Sequence, residues 1–173
     1  MQTKLYLKIL LIGFLVLSCS KKQAVTFDKK ITPYNYLDKE YPIQYLYDFD
    51  SLLPTEKQQL LKKELQTLHH KKGLTVFIIT KNKIGRNGNI KEDSELLNTI
   101  LSKKFQVKNL VLLELIAKKR KIAITTSPNL KNKLNDSICN IILDSMKIDL
   151  KQNRFYKAFK KGVKLTEQYS DKN

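Results

Sequence analysis

LTVFIIT (Leu74–Thr80) and LVLLELIA (Leu110–Ala117) are two short apolar runs, and the segment between them repeats with a different period. Each run is too short for a buried helix and lacks polar alternation, which is the pattern of a strand covered on both faces. Between them KEDSELLNTILSKKF, residues 91–105, places Leu97, Ile100, Leu101 and Phe105 along one helical face. Glu92 and Asp93 fall in its first turn and Lys103 and Lys104 in its last, the charge order that a helix dipole favours. A strand, a crossover helix and a second strand make a parallel pair. The chain is therefore of α/β class.

Working outward, KKRK (Lys118–Lys121) interrupts only briefly before IAITT (Ile122–Thr126), so the second and third of these strands form an antiparallel hairpin and the sheet is mixed. Upstream, IQYLYDFD (Ile43–Asp50) alternates as a strand does. LLPTEKQQLLKKELQTLHHKKG, residues 52–73, predicts a helix with Pro54 in its first turn, Leu61, Leu65 and Leu68 on one face and Gly73 as its C-terminal cap. Downstream, SPNLKNKL starts a short helical turn, and Asn135 can cap a helix carrying Ile138, Ile141, Ile142 and Met146 on one side. A last helix from about Asn153 to Tyr169 aligns Phe155, Phe159, Val163 and Thr166. Alternating helices and buried strands call for a single three-layer α/β/α domain, its mixed central sheet covered by helices on both faces, over residues 43–170.

The amino-terminal region reads differently. Lys4 and Lys8 precede the apolar run ILLIGFLVL (Ile9–Leu17), which is about half the roughly 20 residues needed to span a bilayer, and the run ends in Ser18 and Cys19. A basic segment, a short apolar segment and a small residue before the cut form a secretory signal over residues 1–18. VLSC resembles the lipobox of bacterial lipoproteins, whose cysteine is lipid-modified and becomes the mature N-terminus. The resemblance implies that Cys19 is the lipid attachment site, with palmitate-type acyl chains holding the protein on a membrane outside the cytoplasm, at the periplasmic face or the cell surface. Residues 19–42, with Pro33 and Pro42 and no sustained period, read as the lipidated tether.

A net charge of +17 raises the question of nucleic acid. The lysines are spread over every segment, with neither an arginine-rich tract nor aromatic and basic residues interleaved, so no nucleic-acid partner is expected. Lysine, asparagine and isoleucine are all abundant, so a general compositional bias accounts for the charge, with attraction to an anionic membrane surface as a side effect. Cys139 lies among helix-spaced apolar residues and reads as a buried inert thiol. His69 and His70 are adjacent, hence about 100° apart on a helix, and cannot form an i, i+4 metal pair; they are placed at a solvated helix end. Glu114, inside LVLLELI, is placed facing outward near its strand's end. The chain carries no GxSxG elbow, P-loop, GxGxxG or paired CxxC.

Four stretches in this order resemble the TPM domain family from about Tyr45 to Tyr169: YDFDSLLPTEKQQL, GLTVFIIT, NLVLLELIAKKRKIAIT and KQNRFYKAFKKGVKL, with LND (Leu134–Asp136) opening the helix before the last. The family commonly has a glycine after the asparagine that stands here as Asn109, and more glycines after the hairpin. Leu110 and TTSPNL replace them in this chain.

Some family members are acid phosphatases with a divalent cation near acidic loop residues. The resemblance therefore implies Asp48 and Asp136 as metal contacts for calcium or magnesium, and Arg120 as the catalytic group that clamps phosphate oxygens. The alternative roles of these residues are structural: a strand-end polar residue, a helix-start residue and an exposed hairpin turn. Because glycine admits close backbone approach and leucine does not, the replaced glycines favour a lipid-anchored assembly or interaction module for membrane proteins of the cell envelope, with an envelope protein as partner. The alternative is a divalent-metal-dependent phosphatase acting on phosphomonoesters.

Overall fold

The computed structural model describes residues 43–85 and 88–171, so the segments read as leader and tether, Cys19 included, lie outside the described residues. In chain order the elements are β1 (Leu46–Asp48), α1 (Thr55–Lys72), β2 (Thr75–Thr80), α2 (Ile90–Lys104), β3 (Leu110–Ile116), β4 (Lys121–Thr126), α3 (Asp136–Leu150) and α4 (Phe155–Ser170). The sheet runs β1-β2-β3-β4. β1, β2 and β3 are parallel, with Phe77 opposite Leu112, and β4 is antiparallel to β3, with Leu113 opposite Ile124.

Strand alternation divides the apolar residues between two faces. Val76 and Ile78 of β2, Val111, Leu113 and Leu115 of β3 and Ile124 of β4 join Leu61, Leu65 and Leu68 of α1, Ile142 and Met146 of α3, and Phe159 and Val163 of α4 in one apolar core. α2 packs on the opposite face, against β3 and β4. There the contact is partly polar: Ser94 and Asn98 of α2 meet the Thr125 hydroxyl at 3.1 and 3.5 Å, and the Asn98 amide donates to the Thr125 carbonyl at 3.1 Å. The architecture is the three-layer α/β/α arrangement that the sequence predicts.

Local chemistry sets the ends of the elements. Gly73 takes φ 63° and its N–H returns to the His69 carbonyl, closing α1 as expected. The Asn135 side chain accepts from the Ile138 N–H and opens α3. Gly162 of α4 lets Met146 of α3 approach so closely that an added Cβ would lie 2.5 Å from its sulfur, which ties the two helices together.

The structure corrects the sequence expectations at five points. β1 is confined to Leu46–Asp48, because after Asp48 the chain turns back with Ser51 at φ 52°. Pro54 stands just before α1 at its N-cap. Ile141 is 48 % exposed, because the buried stripe of α3 is Cys139, Ile142, Met146 and Asp149. His69 is half-buried against Tyr45 and its Nδ1 pairs with the Thr75 hydroxyl at 2.8 Å, so only His70 is fully at the solvated end. Glu114 is completely buried in mid-strand opposite Ala123, on the face that α2 covers. Among the described residues, no helix is long and apolar enough to cross a membrane.

Candidate functional site

The three parallel strands end along one edge, where ligands of α/β sheets commonly bind. At the end of β1, Asp48 accepts four hydrogen bonds. The Leu52 N–H and the Thr80 hydroxyl donate to Oδ1, and the Leu53 N–H and Gln58 Nε2 donate to Oδ2, with the Leu53 bond at 2.9 Å. A carboxylate offers about four lone-pair positions, so the local turn and the start of α1 occupy them all. This aspartate folds the YDFDSLL segment back onto β2.

Beyond β2 the edge holds a buried ion cluster. Lys81 follows β2 directly, Asp93 sits in the first turn of α2 and Glu114 is in β3. The Lys81 ammonium contacts Asp93 Oδ2 and lies 2.6 Å from Glu114 Oε1, with the lysine side chain 14 % exposed and the glutamate fully buried. Gly85 completes the arrangement: its N–H donates to Asp93 Oδ2 at 3.0 Å, and a Cβ there would lie 2.1 Å from Asp93 Oδ1. Lys81 thus stands between two carboxylates that are both turned away from water. Burial, partly offset by Lys81 and reinforced by Asp93, pushes the Glu114 carboxyl up to about 7. The cluster can hold a proton near neutral pH.

Arg120 occupies the β3–β4 hairpin at φ 50°, its N–H returning to the Ala117 carbonyl at 2.9 Å. It lines a pocket of about 510 Å³ together with Lys147 from the last turn of α3 and Lys151 at that helix's C-cap, over an apolar floor that includes Leu115, Ile122 and Phe155. Asp136 has a 91 % exposed side chain in the first turn of α3, where it meets Lys91 at 3.7 Å. At 1.5 Å per residue it stands roughly 16 Å along the helix from Lys147. Asp48, on β1, is separated from β3 by two strand spacings of about 4.8 Å. Arg120 is thus grouped with two lysines, and the two aspartates stand apart from it and from each other.

Cys139 is buried, and its Sγ donates to the Leu134 carbonyl at 3.5 Å. Burial pushes the thiol up to about 11, the inert state that its surroundings in the sequence imply. The sequence reading did not single out Lys81, Lys147 or Lys151. The available signals were a lone glutamate within an apolar strand and an i, i+4 lysine pair that shares a helix face with Leu150.

The model of the TPM domain matches residues 46–169. Three solved structures share the fold. The N-terminal domain of a P. gingivalis protein is 19 % identical, with a TM-score of 0.62 over 74 % of this chain and 82 % of that one. The N-terminal domain of a Corynebacterium glutamicum protein is 9 % identical, with a TM-score of 0.57 over 78 % and 86 %. The BA42 protein of the psychrophilic bacterium Bizionia argentinensis is 10 % identical, with a TM-score of 0.56 over 70 % and 83 %. No curated protein matches the chain.

Proposed function

The chain belongs to the TPM domain family, and from that premise we propose that it is a lipid-anchored module of the bacterial cell envelope that assembles with or binds another membrane protein. The observation that carries the non-enzymatic reading is the state of Asp48. The aspartate of the family-like YDFDSLL segment spends its acceptor positions on Leu52, Leu53, Gln58 and Thr80, which makes it a folding element. The anchoring reading is supported by ILLIGFLVLSC, an apolar run too short to span that ends in the lipobox cysteine Cys19.

Two experiments test this reading. Fatty-acid labelling and membrane partitioning in cells are expected to be lost in Cys19→Ala; unchanged labelling would remove the anchor from the proposal. Crosslinking in intact cells, followed by purification, is expected to capture a defined envelope protein with wild type and much less of it with Cys19→Ala. An identical set of captured proteins from both would argue against an anchored module.

The second reading, a divalent-metal-dependent acid phosphatase acting on phosphomonoesters, is favoured by one feature, the grouping of Arg120 with Lys147 and Lys151. Its metal set fits poorly. Asp48 has no acceptor position to spare, Asp136 lies on a separate helix, and no cluster of three or more His, Cys, Asp or Glu placed to hold a metal occurs among the described residues. Turnover of a generic phosphomonoester in calcium or magnesium at about 1 per second or more, abolished by Asp48→Asn with Asp136→Asn while the fold survives, would establish this second reading.

A further inference from the structure

The pocket beneath the β3–β4 hairpin combines two kinds of surface. Arg120, Lys147 and Lys151 line it with positive charge, while Leu115, Ile122, Leu150 and Phe155 give it an apolar floor. Among the described residues, no carboxylate belongs to the lining. Arg120 and Lys151 form no ion pair among the described residues, and Lys147 makes only an exposed pair with Asp144 at 2.8 Å, the kind that contributes little and exchanges readily. The pocket also takes in Phe155, the first residue of α4. Its volume of about 510 Å³ lies within the range of small-molecule sites.

We propose that this pocket binds a single-chain anionic amphiphile, its carboxylate or phosphate head held by Arg120, Lys147 and Lys151 and its aliphatic segment laid on Leu115, Ile122, Leu150 and Phe155. Each half of the lining argues for one half of the ligand. A guanidinium presents a planar fork of donors that matches carboxylate and phosphate oxygens, and two ammonium groups add point charges beside it. A bare anion would leave the floor wet, and a neutral apolar molecule would leave three cations facing it. Binding requires no bond cleavage, so the site is independent of the phosphatase reading. It is equally independent of Cys19.

Calorimetric titration of the full chain tests the assignment with laurate, lauryl phosphate, lauryltrimethylammonium and inorganic phosphate, each kept monomeric. Laurate and lauryl phosphate are expected to bind once per chain, and Arg120→Gln with Lys151→Gln to weaken both at least about tenfold. Both side chains are on exposed residues, so the variant should melt as wild type does, and Lys118→Gln in the same hairpin should bind unchanged. Equal binding of lauryltrimethylammonium, inorganic phosphate binding as tightly as lauryl phosphate, or unaltered affinity in the double variant would each overturn the proposal. Co-sedimentation with phosphatidylglycerol and phosphatidylcholine vesicles then separates the sources. A preference for phosphatidylglycerol that the double variant loses identifies a membrane headgroup, whereas retention that ignores the variant, beside tight binding of the monomers, identifies a free amphiphile.

Discussion

Glu114 and Asp149 are both carboxylates almost wholly removed from water, with side chains 0 % and 1 % exposed, yet their acidities move in opposite directions. In the cluster on the α2 side, Glu114 shares the Lys81 ammonium with Asp93, and burial outweighs Lys81 and pushes its carboxyl up to about 7. At the α3–α4 corner, Asp149 has Lys161 at 2.7 Å, Arg154 at 2.6 Å and Lys157 at 3.9 Å to itself, and Lys161 followed by Arg154 holds its carboxyl below the usual range. Burial alone therefore does not decide the direction. The local count of cations against carboxylates does.

The most severe way to break the comparison is Lys81→Met, which takes the ammonium away from both Asp93 and Glu114. A loss of about 3–5 kcal/mol is expected in urea unfolding at neutral pH. A loss under about 1 kcal/mol would mean that the cluster is solvated and the charge count irrelevant.

Glu114→Gln sharpens the comparison, because it removes one of the two carboxylates that contact Lys81. The sign follows from linkage: the folded-state value, about 7, lies above the ordinary 4.5, so the native state binds the extra proton between these values. Wild type should lose stability as pH rises from about 4.5 to about 7 and keep that deficit above it, on the order of 3 kcal/mol. The variant should lack this slope and be the more stable protein at pH 8. Parallel pH profiles for the two proteins would show that Glu114 is not the titrating group.

Gly85→Ala acts on the same cluster through space. An added Cβ would collide with Asp93 Oδ1, and because that carboxylate is held by Lys81 it cannot swing away freely, so about 1–2 kcal/mol should be lost. Gly88→Ala, at φ 65° but with open space around it, separates backbone strain from this collision.

The smallest effect is expected at the other corner. Asp149→Asn should lower the melting temperature at neutral pH less than Lys81→Met does, since Arg154 and Lys157 are 45 % and 65 % exposed and can turn to water. With a depressed folded value, Asp149 supplies stability above its ordinary 3.8 that is lost as pH falls through the folded value. The variant should therefore show a shallower acid limb, and an unchanged limb would remove Asp149 from it.

The sheet was legible because its information is local. LTVFIIT and LVLLELIA are long enough and apolar enough to be buried strands wherever they occur, and Gly73 and Asn135 act on backbone groups three or four residues away. The ion cluster was not legible because its members come from a loop, a helix start and a strand. Glu114 looked like an outward residue until α2 was laid over it. Ile141 was misplaced for a related reason: helical spacing offers several apolar stripes on α3, and only the packing of α4 through Gly162 and Met146 selects the one that is buried. Asp48 was found by its motif, but its four donors could be known only once the turn had been built.

The sheet order β1-β2-β3-β4 follows the chain itself, and the last strand ends at Thr126, before α3 and α4 begin. During synthesis every strand thus emerges before two of the three helices that cover the apolar core face exist. In that interval Val111, Leu113 and Ile124 have no lid from α3 or α4. The half-made chain is then a sheet with one sticky side, the kind of surface that holdase chaperones cover. Completion of the final helix, with Phe159 and Val163 seated, is the event that ends that window.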